Sequence, residues 1–188
     1  MPSDARALSS TAYPPGAEIL LDRFAIDRRN REMAQKLVLR FREQNSVPLF
    51  VGVLKGSFVF LADLVRCYNA PCEVDFLGVR SYGSGTVSSG APDLYKDISH
   101  DIAGRDVVLV EDIIDTGATM ARLITMLEAR SPRSLTIVCL LDKPSRRTTE
   151  CRVDIVGFEI PDRFVVGYGL DEDEQYRNLP SLVAKPSA

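Results

Sequence analysis

Val107-Val108-Leu109-Val110-Glu111-Asp112-Ile113-Ile114-Asp115-Thr116-Gly117-Ala118-Thr119 is the stretch on which the reading of this chain turns. Four consecutive aliphatics suit a strand covered on both faces, because neither side can be left to water. Such a strand delivers two adjacent carboxylates, Glu111 and Asp112, to a sheet edge, on opposite faces if the backbone is still extended there. A glycine-containing turn then opens a helix whose apolar positions Met120, Leu123, Ile124 and Leu127 recur at helical spacing. Backbone N–H groups at the start of that helix, with the hydroxyls of Thr116 and Thr119, make a cradle for a phosphate. The paired acids suit ribose hydroxyls and a hydrated Mg²⁺, a hard cation that prefers oxygen. A phosphate nest beside a diacid describes a phosphorylated sugar with its metal. The stretch is neither a G-x-x-x-x-G-K-[ST] loop nor a dinucleotide G-x-G-x-x-G turn.

On the N-terminal side, Asp27 reads as the cap of a helix marked by Met33, Ala34, Leu37, Val38 and Phe41 and ending near Asn45, before Pro48. Leu49 to Leu54 is a second buried strand. Lys55-Gly56-Ser57 turns the chain, with Ser57 as cap, into a helix carrying Phe58, Leu61, Ala62, Leu64 and Val65. Val74 to Tyr82 reads as a strand, and Gly83 to Ala103, rich in Gly, Ser, Thr, Pro and Asp, as a long mobile loop of functional kind. Further strands are expected over 135–141, 153–158 and 164–168. This alternation implies an α/β fold, a mainly parallel central sheet flanked by helices. Ligands of such sheets bind at the carboxyl ends of the strands, so the loops at Lys55, at 111–119 and at Lys143 should gather on one edge. Residues 1–16 read as a flexible tail and 17–188 as a single domain.

The chain has 188 residues, 45% of them apolar and 26% charged, which is enough apolar material to build a core. Its net charge of −3 argues against a basic nucleic-acid-binding face. No apolar run approaches the roughly 20 residues that a membrane span needs, and no secretory leader is readable at the N-terminus. Cys67, Cys72, Cys139 and Cys151 lack C-x-x-C spacing and read as reduced core residues of a cytoplasmic protein. His100, the only histidine, reads as a surface residue, and a zinc site or a Ser-His-Asp triad has little to build on.

Residues 107–119 resemble the 5-phosphoribosyl pyrophosphate (PRPP) signature of type I phosphoribosyltransferases. Five further segments narrow the resemblance to the hypoxanthine-guanine(-xanthine) phosphoribosyltransferases: Val53-Leu54-Lys55-Gly56-Ser57, Ser81-Tyr82-Gly83, Leu140-Leu141-Asp142-Lys143, residues 156–171, and Tyr176-Arg177-Asn178-Leu179-Pro180. It covers about Ile19 to Val183. The resemblance implies a small hood over the purine, built from about residues 154–188 plus an N-terminal part. It implies that Glu111, Asp112, Asp115, Thr116, Gly117, Ala118, Thr119, Lys55, Gly56 and Arg177 bind PRPP, with a cis peptide bond before Lys55. Lys143 would donate to the purine 6-oxygen, Phe164 would stack on the base, and Val165 and Asp171 would meet its edge. Ser81 and Tyr82 would start a mobile loop. Mg²⁺ would sit on Glu111, Asp112 and Asp171, and Asp115 would act as acid and base near purine N7. The implied reaction is purine salvage: hypoxanthine or guanine, with xanthine as a further candidate base, plus PRPP gives IMP or GMP plus pyrophosphate. The implied enzyme is a homodimer or homotetramer, with Phe58 and Phe60 at an interface. An RNA-binding attenuator related to these enzymes is the alternative, and it would need a basic face.

Overall fold

In the computed structural model, which describes residues 13–79 and 93–186, the quoted stretch is the central strand of a six-stranded sheet. Strand β1 (Glu18–Leu21) leads into helix α1 (Arg23–Glu43), then β2 (Leu49–Leu54), α2 (Phe58–Cys67), β3 (Glu73–Val79) and β4 (Leu94–Lys96). Next come β5 (Asp106–Ile114), α3 (Ala118–Glu128), β6 (Ser134–Asp142), β7 (Ile155–Glu159), β8 (Val165–Val166) and β9 (Leu182–Ala184). The large sheet runs β4-β3-β2-β5-β6-β7, parallel except at the β3–β4 edge. β1, β9 and β8 form a separate antiparallel sheet from the two ends of the chain, a hood beside the large sheet; β7, inside the 154–188 span expected for the hood, instead pairs with β6.

Strand alternation explains the two cores. Val107 and Leu109 pack with Met120, Leu123 and Leu127 of α3, whereas Val108 and Val110 pack with Phe50 and the α1–α2 layer. Both faces of β5 are therefore closed, as its unbroken aliphatic run requires. From the β2–β5 pair the chain winds outward in opposite directions, to β3 on one side and to β6 and β7 on the other. A crevice opens at the carboxyl ends of strands where winding reverses. The Lys55 loop and residues 111–119 lie there.

Several expectations are corrected. Asp22, not Asp27, caps α1: its Oδ1 accepts from Ala25 N at 2.7 Å, because the buried face of the helix begins earlier, at Ile26 and Asn30. Asp27 instead pairs with Arg31 one turn on. Ser57 makes no capping bond; its buried hydroxyl donates to Val53 O at 2.7 Å and ties the turn to β2. Phe60 is fully buried, so only Phe58 of that pair reaches the surface. Residues 13–16 are not loose, since Pro14 is buried and Tyr13 packs on the hood cluster of Val166, Leu179 and Val183.

The loop expected over 83–103 ends early. Residues 80–92, with Ser81 and Tyr82, lie outside the described residues, as do 1–12 and 187–188. From Leu94 the chain pairs with β3, and Ile98 and Ile102 enter the core. Buried Asp75 fastens this return, accepting from Ser99 N at 2.6 Å and Lys96 Nζ at 3.3 Å and bonding His100 Nδ1 at 2.8 Å. His100 is exposed, as its reading as a surface residue expects, and it is also a partner of Asp75.

Asp106, 2% exposed at the start of β5, accepts from Arg133 Nε at 3.0 Å and Ser134 Oγ at 2.7 Å. The Arg133 hydrogen bond, ahead of the cost of burial, pulls its carboxyl down to about 2. A carboxyl more acidic in the fold than in the open chain stabilises the fold above its unfolded pKa and loses that contribution as pH falls through the folded value. The ionised group is therefore worth about 2 kcal/mol at pH 7, and about half of that near pH 3. Urea midpoints of the parent chain and Asp106→Asn should differ clearly at pH 7 and converge as pH is lowered from 4 toward 2.

Candidate active site

A cavity of about 750 Å³ opens at the carboxyl edge of the sheet, under the hood. Lys55, Gly56, Glu111, Asp112, Asp115, Thr116, Gly117, Thr119, Lys143, Phe164, Val165, Asp171 and Arg177 all line it. Of the expected site residues that are described, Ala118 alone does not; it begins α3, with its N–H 3.4 Å from Thr116 Oγ1.

The floor of the cavity is the β5–α3 turn. Gly117 has φ +85°, a left-handed conformation that L side chains rarely adopt, and a Cβ there would lie 2.3 Å from Thr149 O. Thr116 O accepts from both Thr148 N and Thr149 N at 3.0 Å, which holds the turn from behind. The first N–H groups of α3 have no acceptor within the helix, so beside the Thr116 and Thr119 hydroxyls they form a nest for an anion.

Glu111 and Asp112, although successive residues of β5, both border the cavity, which wraps around the end of the strand. Burial, reinforced by the charge of Asp112, pushes Glu111 well above the ordinary carboxyl range. Burial also lifts Asp112. Two desolvated, mutually repelling acids are under-compensated, and a hard cation is the natural counter-charge. Among the described residues no group of three or more ligating side chains forms a closed metal cage. The pair therefore suits an ion such as Mg²⁺, which takes one or two carboxylates and leaves its other positions to water and phosphate oxygens. Asp171, the third expected ligand, is committed elsewhere: Oδ1 lies 2.8 Å from Arg177 and Oδ2 accepts from Glu174 N at 2.9 Å.

Over the diacid runs the β2–α2 loop. The Leu54–Lys55 peptide bond is cis. Gly56 crosses so close that a Cβ would stand 1.6 Å from Asp112 Oδ2, so any side chain there would push the Asp112 carboxylate aside. Lys55 Nζ lies 2.9 Å from Glu174 Oε1. Arg177 donates to Gly169 O at 2.8 Å and pairs with Asp171 and Glu174.

At the opposite end, Lys143 follows β6 with its side chain largely buried and only a long ion pair, 3.9 Å, to Asp162. Its N–H donors thus have room for an acceptor brought in by a ligand. Phe164, half-exposed, and the backbone of Val165 form the adjoining wall. Asp115, which immediately precedes Thr116 of the nest, also lines the cavity, and its Oδ1 accepts from Arg146 Nε at 2.9 Å.

Comparison with known proteins decides the family. A family model described as a phosphoribosyl transferase domain matches residues 16–173. The hypoxanthine-guanine phosphoribosyltransferase of Bacillus subtilis is 44% identical over 90% of this chain and 94% of its own. The chain belongs to the hypoxanthine-guanine phosphoribosyltransferase family. The hypoxanthine phosphoribosyltransferase of Salmonella typhimurium is 45% identical over 87% of this chain and 92% of its own. Among solved structures, the hypoxanthine phosphoribosyl transferase of Trypanosoma cruzi superposes with a TM-score of 0.87 at 38% identity, covering 93% of this chain and 94% of that one.

Some residues at this family member's cavity went unread in the sequence. Glu174 lies in the acidic run 171–174, which reads as a solvated face, yet it reaches two cations of the cavity, Lys55 and Arg177. Arg146 and Arg147 follow Lys143-Pro144-Ser145, a clustering of charge after a strand end that offered a usable signal. Arg146 holds Asp115, while Arg147 donates to Asp115 O at 3.3 Å and to the Asp142 carboxylate. Tyr95 of the unforeseen β4 also lines the cavity, packed over Gly78.

Proposed function

We propose that this chain transfers the 5-phosphoribosyl group of PRPP to N9 of hypoxanthine or guanine in purine salvage, releasing IMP or GMP and pyrophosphate. The observation that carries the reading is convergence: an anion nest, a diacid and a buried lysine facing an aromatic wall share one cavity. In the reaction the C1′–O bond to pyrophosphate breaks, the C1′–N9 bond forms, and the base gives up one proton. Thr116, Gly117, Ala118 and Thr119 hold the 5′-phosphate by hydroxyls and backbone amides. Glu111 and Asp112 fix the ribose hydroxyls and would hold Mg²⁺, and Asp171 would join them on exchanging its contact with Arg177. Held there, Mg²⁺ would supply charge neutralisation for the departing pyrophosphate. Lys55, the Gly56 backbone and Arg177 hold that same group, Arg177 offering the forked donors that suit phosphate oxygens.

Lys143 donates to the 6-oxygen of the base and Phe164 stacks on its face, a contact worth about 0.5–1.5 kcal/mol beyond area burial. Val165 and Asp171 meet the far edge of the purine. Asp115 takes the proton from the base at N7 as N9 becomes nucleophilic. Residues 17–188 act as one catalytic domain under its hood. Exposed Phe24 and Phe58 support a homodimer or homotetramer, and four free thiols fit a cytoplasmic protein. The relatives quoted above carry the names of enzymes, which supports transfer over an RNA-binding role.

An absorbance assay with PRPP and Mg²⁺ against hypoxanthine, guanine, xanthine, adenine and uracil tests this. Turnover is expected with hypoxanthine and guanine and not with uracil; consumption of none of the five would overturn the proposal. In the same assay Lys143→Gln should cut the preference for 6-oxo over 6-amino purines by about tenfold to a hundredfold, since glutamine can accept as well as donate. Unchanged rejection of adenine would remove Lys143 from the selectivity mechanism.

A further inference from the structure

Among the described residues, Glu174 is the one carboxylate lining the cavity that joins two cations from separate parts of the chain. Its Oε1 lies 2.9 Å from Lys55 Nζ, in the loop after β2, and its Oε2 lies 3.2 Å from Arg177 Nη2, in the segment before β9. The turn that presents it is constrained: Asp173 and Glu174 have φ of +49° and +65°, and Glu174 N donates to Asp171 Oδ2. Conformations of this kind cost free energy and persist when the surroundings hold them. Lys55 and Arg177 together lower the pKa of Glu174, so it is an anion whenever the site is at work. Each of its two oxygens engages one cation, which is how two oxygens of a diphosphate would span the same pair.

We infer that Glu174 is a built-in counter-anion, which occupies the Lys55–Arg177 pair in the free protein and competes for it with the pyrophosphoryl group. The inference rests on the reading of Lys55 and Arg177 as the pyrophosphate grip. The glutamate keeps two like charges from repelling in the empty site, and it weakens the hold on the donor and on the released product alike. Looser product binding is useful, because pyrophosphate held by two unopposed cations and a metal would leave slowly. A purely architectural glutamate, one that only aims Lys55 and Arg177, has the opposite signature: its removal would weaken binding of the same ligands.

The sign of the change on Glu174→Gln therefore decides. The competing pairs are exposed and individually weak, so KM for PRPP and Ki for pyrophosphate should each fall by roughly threefold to tenfold, while KM for hypoxanthine stays put. Titration of magnesium pyrophosphate into the protein by calorimetry should show the same tightening in the absence of turnover. The variant's affinity should also fall more steeply with added salt, because one more protein cation then faces the ligand unopposed. Glu174→Asp, too short to span both cations, should tighten binding by an intermediate amount. Unchanged or weaker pyrophosphate binding in a folded Glu174→Gln protein overturns the inference and leaves the transferase reading intact. Failure of the parent protein to bind pyrophosphate or turn over PRPP overturns both.

Discussion

Replacing Asp115 by Asn should lower kcat by about a hundredfold to a thousandfold, within the range of a lost general acid–base group. KM for PRPP should change less than threefold. Asparagine keeps the size of aspartate and an oxygen that can still accept from Arg146 Nε, so the turn that cradles phosphate has no reason to move. The turn is in any case held by other groups: the two bonds from Thr148 N and Thr149 N to Thr116 O, and the Arg147 bond to Asp115 O, are all made to backbone carbonyls. What Asn cannot do is take a proton. Steady-state kinetics with hypoxanthine and guanine, together with a pyrophosphate-binding titration, separate the two quantities. Equal losses in kcat and in PRPP binding would show that Asp115 serves to hold the turn and not to manage the proton.

How much of this site could be read from the sequence follows from how local each feature is. The β5–α3 turn was legible because its parts are consecutive: an aliphatic run dictates a covered strand, the acids end it, and Gly117 supplies the one backbone conformation that the turn needs. The Lys55 and Lys143 loops were legible for the same reason, as breaks after apolar runs. Contacts across the chain were not. Glu174 meets Lys55 across 119 positions and Arg163 meets Glu18 across 145, and no periodicity encodes such pairings. Of the hood strands, β8 fell inside the strand expected over 164–168, whereas β1 and β9, four and three residues long, are too short for alternation to declare itself. β4 was hidden in a polar segment because it is an edge strand of three residues, fastened by Asp75 rather than by an apolar face of its own. Asp27 is not the cap because Asp22 shares its capping propensity and the buried face of α1 one turn on decides which is used, whereas Ser57 holds the N-cap position of α2 but turns its hydroxyl to Val53 O.

Glu111→Gln should raise the melting temperature of the ligand-free protein by about 2–4 °C for each kcal/mol of repulsion relieved, and it should lower kcat/KM for PRPP by about a hundredfold. Both halves have one cause. Burial raises the pKa of Glu111 and of Asp112, which means that ionising the two acids together costs the fold free energy. A carboxyl whose pKa is higher in the fold than in the open chain destabilises the fold as pH rises above the unfolded value, so the gain from glutamine should be larger at pH 8 than at pH 5. The same frustration attracts a hard cation and sugar hydroxyls, and the neutral amide abolishes that attraction while filling nearly the same volume. Thermal melts of parent and variant at the two pH values, with and without PRPP and Mg²⁺, measure the exchange directly. In the parent the ligands should add stability by mass action, and in the variant they should add little. A variant no more stable than its parent would mean that the acids are already compensated in the free protein, and the cation-binding role of the pair would lose its physical basis.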